Sequence, residues 1–165
     1  MRLLVIRHAR AEEQDARRWP DDSLRPLSEK GEKDFRTSAR GLSRLVTPDA
    51  VHASPYLRTM QTAQVLAKVA GWPAPETSSD LAMGDVPGFI SGLVQRHPEA
   101  TVAIVGHNPS LPMLVSRLSA GHAEALLQFK PGAAALLDVE ELPAGELRGT
   151  LRWLAQPRLT RQLGR

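Results

Sequence analysis

Three short segments set an imidazole or a guanidinium directly after an apolar run, and together they could carry phosphoryl chemistry. Leu3-Leu4-Val5-Ile6 is followed by Arg7-His8, and Val51-His52-Ala53 by Ser54-Pro55-Tyr56-Leu57-Arg58. Thr101-Val102-Ala103-Ile104-Val105 is followed by Gly106-His107-Asn108-Pro109. A neutral imidazole can attack phosphorus, and a guanidinium fork matches two phosphate oxygens at once. If the three runs are neighbouring strands, Arg7, His8, Arg58 and His107 converge at strand carboxyl ends, where open α/β sheets bind ligands. Two guanidiniums and two imidazoles so placed make a cage for a dianion. The amides after His107 open a helix and add N–H donors to it. Taken singly, these residues have plainer readings. Arg58 alone would be a surface charge, and His52, His97 and His122 read as structural or solvated. The combination is what points to a site.

The elements that must position these residues follow from periodicity. The order is strand, helix, strand, helix, helix, strand, helix and two final strands, which predicts an α/β fold. The expected architecture is a three-layer sandwich: a mostly parallel central sheet, helices on both faces and a late antiparallel strand pair. Ser28 is a good N-cap, with Glu29 in the first turn and Phe35, Ala39, Leu42 and Leu45/Val46 at helical spacing behind it. Ser54-Pro55 reads as N-cap and N1 proline of a second helix that ends at Gly71. Pro109 or Pro112 opens a later helix that Gly121 closes. Residues 133–139 and 150–155 form the antiparallel pair, joined through Pro143-Ala144-Gly145. The segments 9–27 and 72–88 are long and irregular, a common trait of functional loops.

Composition narrows the chemistry. A chain of 165 residues is one domain of ordinary size. The absence of cysteine excludes disulfides, thiolate metal sites and a cysteine nucleophile. No Gly-x-x-x-x-Gly-Lys-[Ser/Thr] loop and no Gly-x-Ser-x-Gly elbow occurs. Asp15, Asp21 and Asp22 read as a solvated acidic turn rather than a metal site. No apolar run approaches a membrane span, and the start does not read as a signal peptide, so a cytoplasmic protein away from the membrane is expected. The net charge is +3, but residues 147–165 hold five arginines and no acid, so residues 1–146 carry −2. With few aromatics and a slightly acidic body, nucleic acid is not an expected partner. The predicted domain covers 1–156, with 157–165 a loose basic tail.

The chain resembles the histidine phosphatase superfamily, the phosphoglycerate-mutase-like fold, and within it the small SixA-type phosphohistidine phosphatases. The resemblance rests on Arg7-His8-Ala9, on Arg25-Pro26-Leu27-Ser28-Glu29-Lys30-Gly31 and on Ser54-Pro55-Tyr56-Leu57-Arg58-Thr59-Met60-Gln61-Thr62-Ala63. It continues through Gly106-His107-Asn108-Pro109-Ser110 and Lys130-Pro131-Gly132-Ala133. It thus runs in order along almost the whole chain. Arg-His-Ala departs from the commoner Arg-His-Gly, as is usual among SixA-like members.

The resemblance implies that His8 is the nucleophile, forming a phosphohistidine that water hydrolyses. Arg7, Arg58 and His107 would hold the phosphoryl oxygens, and Arg25, Ser28 and Asn108 would add phosphate contacts or support. Larger members carry a carboxylate that protonates the leaving group. The matching stretch here, roughly 79–87, offers only Asp80 and Asp85, and Asp85 is the candidate general acid. An alkoxide leaving group needs an acid; an imidazole leaving from a labile P–N bond needs much less help. The expectation is a phosphatase without metal or cofactor, acting on phosphohistidine of a signalling or phosphotransfer protein, with the enzyme itself a monomer. The alternatives are a broad phosphomonoesterase or small-metabolite phosphatase, and a phosphate-binding docking domain without turnover.

Overall fold

The computed structural model describes residues 1–83 and 85–165. Strand β1 (Arg2–Arg7) lies inside a six-stranded sheet of order β3-β2-β4-β1-β5-β6. The other strands are β2 (Ala50–Ala53), β3 (Glu76–Thr77), β4 (Thr101–Gly106), β5 (Ala134–Glu141) and β6 (Leu147–Ala155). The first four run parallel; β5 and β6 are antiparallel at one edge. This is the α/β sheet the alternating sequence predicts.

A strand covered on both faces needs apolar residues at every position, and β1 has them. Leu3 and Val5 face one layer, packing with Ile90, Leu93, Leu111 and Val115. Those residues come from α4 (Val86–Arg96) and α5 (Ser110–Ala120). Leu4 and Ile6 face the other, with Phe35, Ala39 and Leu42 of α1 (Glu29–Ser43) and Ala63 of α2 (Leu57–Val65). The helix α2 continues as a wider π-type turn over Leu66–Ala70 and stops at Gly71. A short α3 (Asp80–Met83) precedes α4.

Local signals set most boundaries. Ser28 caps α1 by accepting the Gly31 N–H at 3.1 Å, and Glu29 and Glu32 occupy the first turn. The helix α2 starts at Leu57 rather than at Pro55, with Tyr56 as its N-cap and no side chain capping it. The basic tail also differs from expectation. Residues Pro157–Leu163 form a helix, α6, packed on α1 with Thr160 fully buried. Glycine makes that contact possible: a Cβ on Gly41 would lie 1.9 Å from the Thr160 carbonyl oxygen. Arg158 and Arg161 of the tail therefore stand on an ordered element.

Candidate active site

The sheet brings the three predicted junctions together. In register, Arg7 lies beside Gly106, and Ala53 beside Val105. The residues that follow thus share one edge: the His8 N–H donates to the Gly106 carbonyl at 3.0 Å and the Ser54 N–H to the Val105 carbonyl at 3.0 Å. Above this edge opens a pocket of about 510 Å³ whose walls include Arg7, His8, Arg25, Arg58, His107 and Asn108.

His8 is positioned for attack through one nitrogen. Its Nδ1 lies 2.7 Å from the Ala9 carbonyl oxygen. A carbonyl only accepts, so Nδ1 carries the proton and Nε2 keeps its lone pair. Burial, with repulsion from His107, Arg58 and Arg7, pushes the His8 pKa down to about 3. The ring is therefore neutral at physiological pH. The carbonyl that fixes it belongs to Ala9, whose own N–H donates to Thr62 Oγ1 at 3.0 Å.

The guanidiniums are aimed by buried or structural acceptors. Arg7 Nη1 donates to the Phe129 carbonyl at 2.7 Å, and Asn108 Nδ2 donates to the same oxygen at 3.2 Å. Arg58, only 5% exposed, donates through Nη1 to the Asp22 carbonyl at 2.7 Å and through Nη2 to the Asp22 carboxylate at 2.9 Å. Its guanidinium carbon lies 4.9 Å from the Tyr56 ring centroid. Arg25 reaches the same carboxylate, Nε to Oδ1 at 2.8 Å, and the Glu12 carbonyl at 2.8 Å. Hydrogen bonding from Arg25, with the charges of Arg58 and Arg25, holds Asp22 below the usual carboxylate range. Asp22 sits on a one-turn 3₁₀ helix, Asp22–Leu24, within the first long loop. The expected solvated turn is instead the brace of two site arginines.

His107 is held by Ser54 Oγ at 2.8 Å from Nε2, which leaves Nδ1 for a ligand. Burial, then the Arg58 charge, lowers its pKa to about 4. Its ring stands 5.5 Å from that of His8 and 4.8 Å from that of Tyr56. The rest of the 54–62 segment is equally committed. Thr59 Oγ1 donates within the turn to the Ser54 and Tyr56 carbonyls, Gln61 Oε1 accepts the Leu27 N–H at 2.7 Å, and Thr62 donates to the Arg58 carbonyl. Gly132 ties the 130–132 turn to the end of β1: at φ +84 its N–H faces the Arg7 and His8 carbonyls at 3.2 and 3.0 Å.

Two predicted residues are not in the pocket. Ser28 is the α1 cap, and its hydroxyl faces the Arg10 carbonyl at 3.3 Å, so it supports the Arg10 loop without lining the site. Asp85 is the exposed N-cap of α4, accepting the Gly88 N–H at 3.0 Å, and lines clefts on the α4 side. It does not line the pocket that holds His8. Among the described residues no carboxylate lines the pocket, and no cluster of three metal-ligating side chains occurs. Asp22 and Tyr56 were not predicted. Tyr56 is legible within the 54–63 segment, whereas nothing local marks Asp22.

A neutral, oriented imidazole inside a ring of guanidiniums defines a site for attack on a tetrahedral dianion. Comparison with known proteins agrees. Residues 3–85 match the histidine phosphatase superfamily (branch 1). A protein of Picosynechococcus sp. described only as uncharacterised is 31% identical over 134 residues, covering 79% of this chain and 80% of that one. The chain belongs to the histidine phosphatase superfamily, and among solved structures it is similar to those of SixA. The structure of the protein histidine phosphatase SixA complexed with tungstate superposes with a TM-score of 0.77, at 28% identity, over 96% of this chain and 98% of that one. SixA from Agrobacterium tumefaciens has the same fold, with TM-score 0.73 and 22% identity over 94% and 97% of the two chains. A mycobacterial glucosyl-3-phosphoglycerate phosphatase shares it at TM-score 0.70 and 16% identity, covering 94% and 99%. Membership of this superfamily supports phosphatase activity. Among the described residues no helix is long and apolar enough to cross a membrane.

Proposed function

We propose that this phosphatase removes the phosphoryl group from phosphohistidine on a signalling or phosphotransfer protein, through a covalent intermediate on His8. One observation carries the reading: the pocket is cationic and imidazole-lined with no carboxylate among its described walls. His8 Nε2 attacks phosphorus, and the P–N bond to the substrate imidazole breaks with its electron pair. That imidazole takes a proton from water. Arg7, Arg25, Arg58 and the free nitrogen of His107 offset the charge on the phosphoryl oxygens, a task that needs no metal here. Water then attacks the phosphorus on His8, releasing inorganic phosphate and restoring Nε2. An alkyl ester would leave as an alkoxide, and no described acid stands ready to protonate it.

The similarity to SixA supports this substrate class, while the glucosyl-3-phosphoglycerate phosphatase neighbour shares the fold alone. The test is a substrate panel: a phosphohistidine carrier protein, a sugar phosphate and an aryl phosphate, each with and without chelator. The carrier protein is expected to show the highest kcat/KM, with no effect of chelator and no turnover by His8→Ala. Equal kcat/KM on the sugar phosphate would overturn the substrate assignment.

A further inference from the structure

A second cleft, of about 380 Å³, adjoins the catalytic pocket and shares Arg10 and Pro131 with it. Its walls are α1, the 130–132 turn and α6. Five cations line it, Arg10, Lys30, Lys130, Arg158 and Arg161, against one acid, Asp34. Among the described residues none of the five makes an ion pair. Ser38 lies in the wall with its buried hydroxyl lacking any hydrogen-bond partner. Crowding like charges without partners costs stability, so the arrangement suits an anionic ligand.

The kind of anion follows from the walls. The lysines and arginines sit on flexible stems around an open rim, without the rigid donor cage of the catalytic pocket. The one aromatic ring, Phe35, is buried, so nucleic-acid bases find no stacking platform. The cleft borders the pocket, with Arg10 and Pro131 common to both walls, so a polypeptide whose phosphorylated side chain enters the pocket can lay its flanking residues along the cations. We propose that this cleft docks an acidic segment beside the phosphorylated residue of the protein substrate, an inference that rests on the function proposed above.

The double substitution Lys30→Glu/Arg158→Glu tests it. Each residue lies in the first turn of a helix, where an acid suits the dipole, so the fold is retained. Each reversal removes two charges, which takes the cleft from four net positive charges to none. Binding is read by fluorescence anisotropy with unphosphorylated Glu-rich and Gln-rich peptides. The wild-type chain is expected to bind the Glu-rich peptide about tenfold tighter at low salt, a preference that salt and the double variant both erase. Hydrolysis of an aryl phosphate stays within about twofold, since neither residue touches the pocket. No preference in the wild type, or a preference that survives in the double variant, overturns the proposal. So does an oligonucleotide that binds tighter than the Glu-rich peptide through the same two residues. Because the peptides carry no phosphate, the result is independent of whether phosphohistidine is turned over.

Discussion

Replacing Asp22 by Asn probes how the site balances its charge. The carboxylate lies 2.9 Å from Arg58 Nη2 and 2.8 Å from Arg25 Nε, so it partly neutralises two groups that must hold the phosphoryl oxygens. A bound dianion on the pocket side of those guanidiniums stands roughly 7 Å from it. At an effective dielectric of about 40–80, the repulsion is about 1–2 kcal/mol. Solvent reaches Asp22, so the lower end applies, which corresponds to about fivefold in affinity. Orientation survives the substitution. The Asp22 carbonyl still accepts Arg58 Nη1 at 2.7 Å, and the Tyr56 ring remains 4.9 Å away. The competitive inhibition constants of inorganic phosphate and tungstate against aryl phosphate hydrolysis should therefore fall about fivefold in Asp22→Asn, with the gap closing at high salt. Unchanged or weaker inhibition would mean that Asp22 serves the cage by placement alone and that the charge argument is wrong.

Other consequences are equally direct. Asp85→Asn should leave phosphohistidine hydrolysis within about twofold and thermal stability almost unchanged, since Asn caps a helix as well as Asp; a large kcat loss would restore Asp85 as an acid. Gly41→Ala should cost about 2–3 kcal/mol in chemical denaturation, because the new Cβ meets the Thr160 carbonyl at 1.9 Å. His8 stays neutral in the native state down to about pH 3 and His107 to about pH 4, whereas both protonate near 6.5 when unfolded. The unfolded chain then binds more protons between these values, so stability is full above pH 6.5 and declines as pH falls. For nearly buried His8 the slope approaches about 1.4 kcal/mol per pH unit. Urea denaturation at pH 7 and pH 5 measures this, and NMR titration of the two rings near pH 6.5 would refute it.

What the sequence reveals, and what it hides, depends on the range of the interaction. The Ser28 cap, the Gly71 and Gly121 helix ends and the buried strands rest on neighbours in the chain, and all are legible. Arg7, His8, Arg58 and His107 are legible as a set because each lies at or just beyond the end of a strand whose register is set by its apolar run. Asp22 is not, because its partner Arg58 lies 36 residues away and its own surroundings resemble a solvated turn. Ser54 is misread as a helix cap for the same reason: its hydroxyl is held by His107 across two strands. The helix α6 escapes notice because charge suggests a loose end, while Thr160 and Gly41 meet only in three dimensions.

The central claim is that His8 carries the phosphoryl group during turnover. Incubating the full chain with a carrier protein labelled with ³²P on histidine, quenching in base and mapping the label tests it directly. An acid-labile, base-stable label on the peptide containing His8, absent from His8→Ala, is the predicted result. Turnover without any label on the enzyme, or hydrolysis retained by His8→Ala, would contradict it.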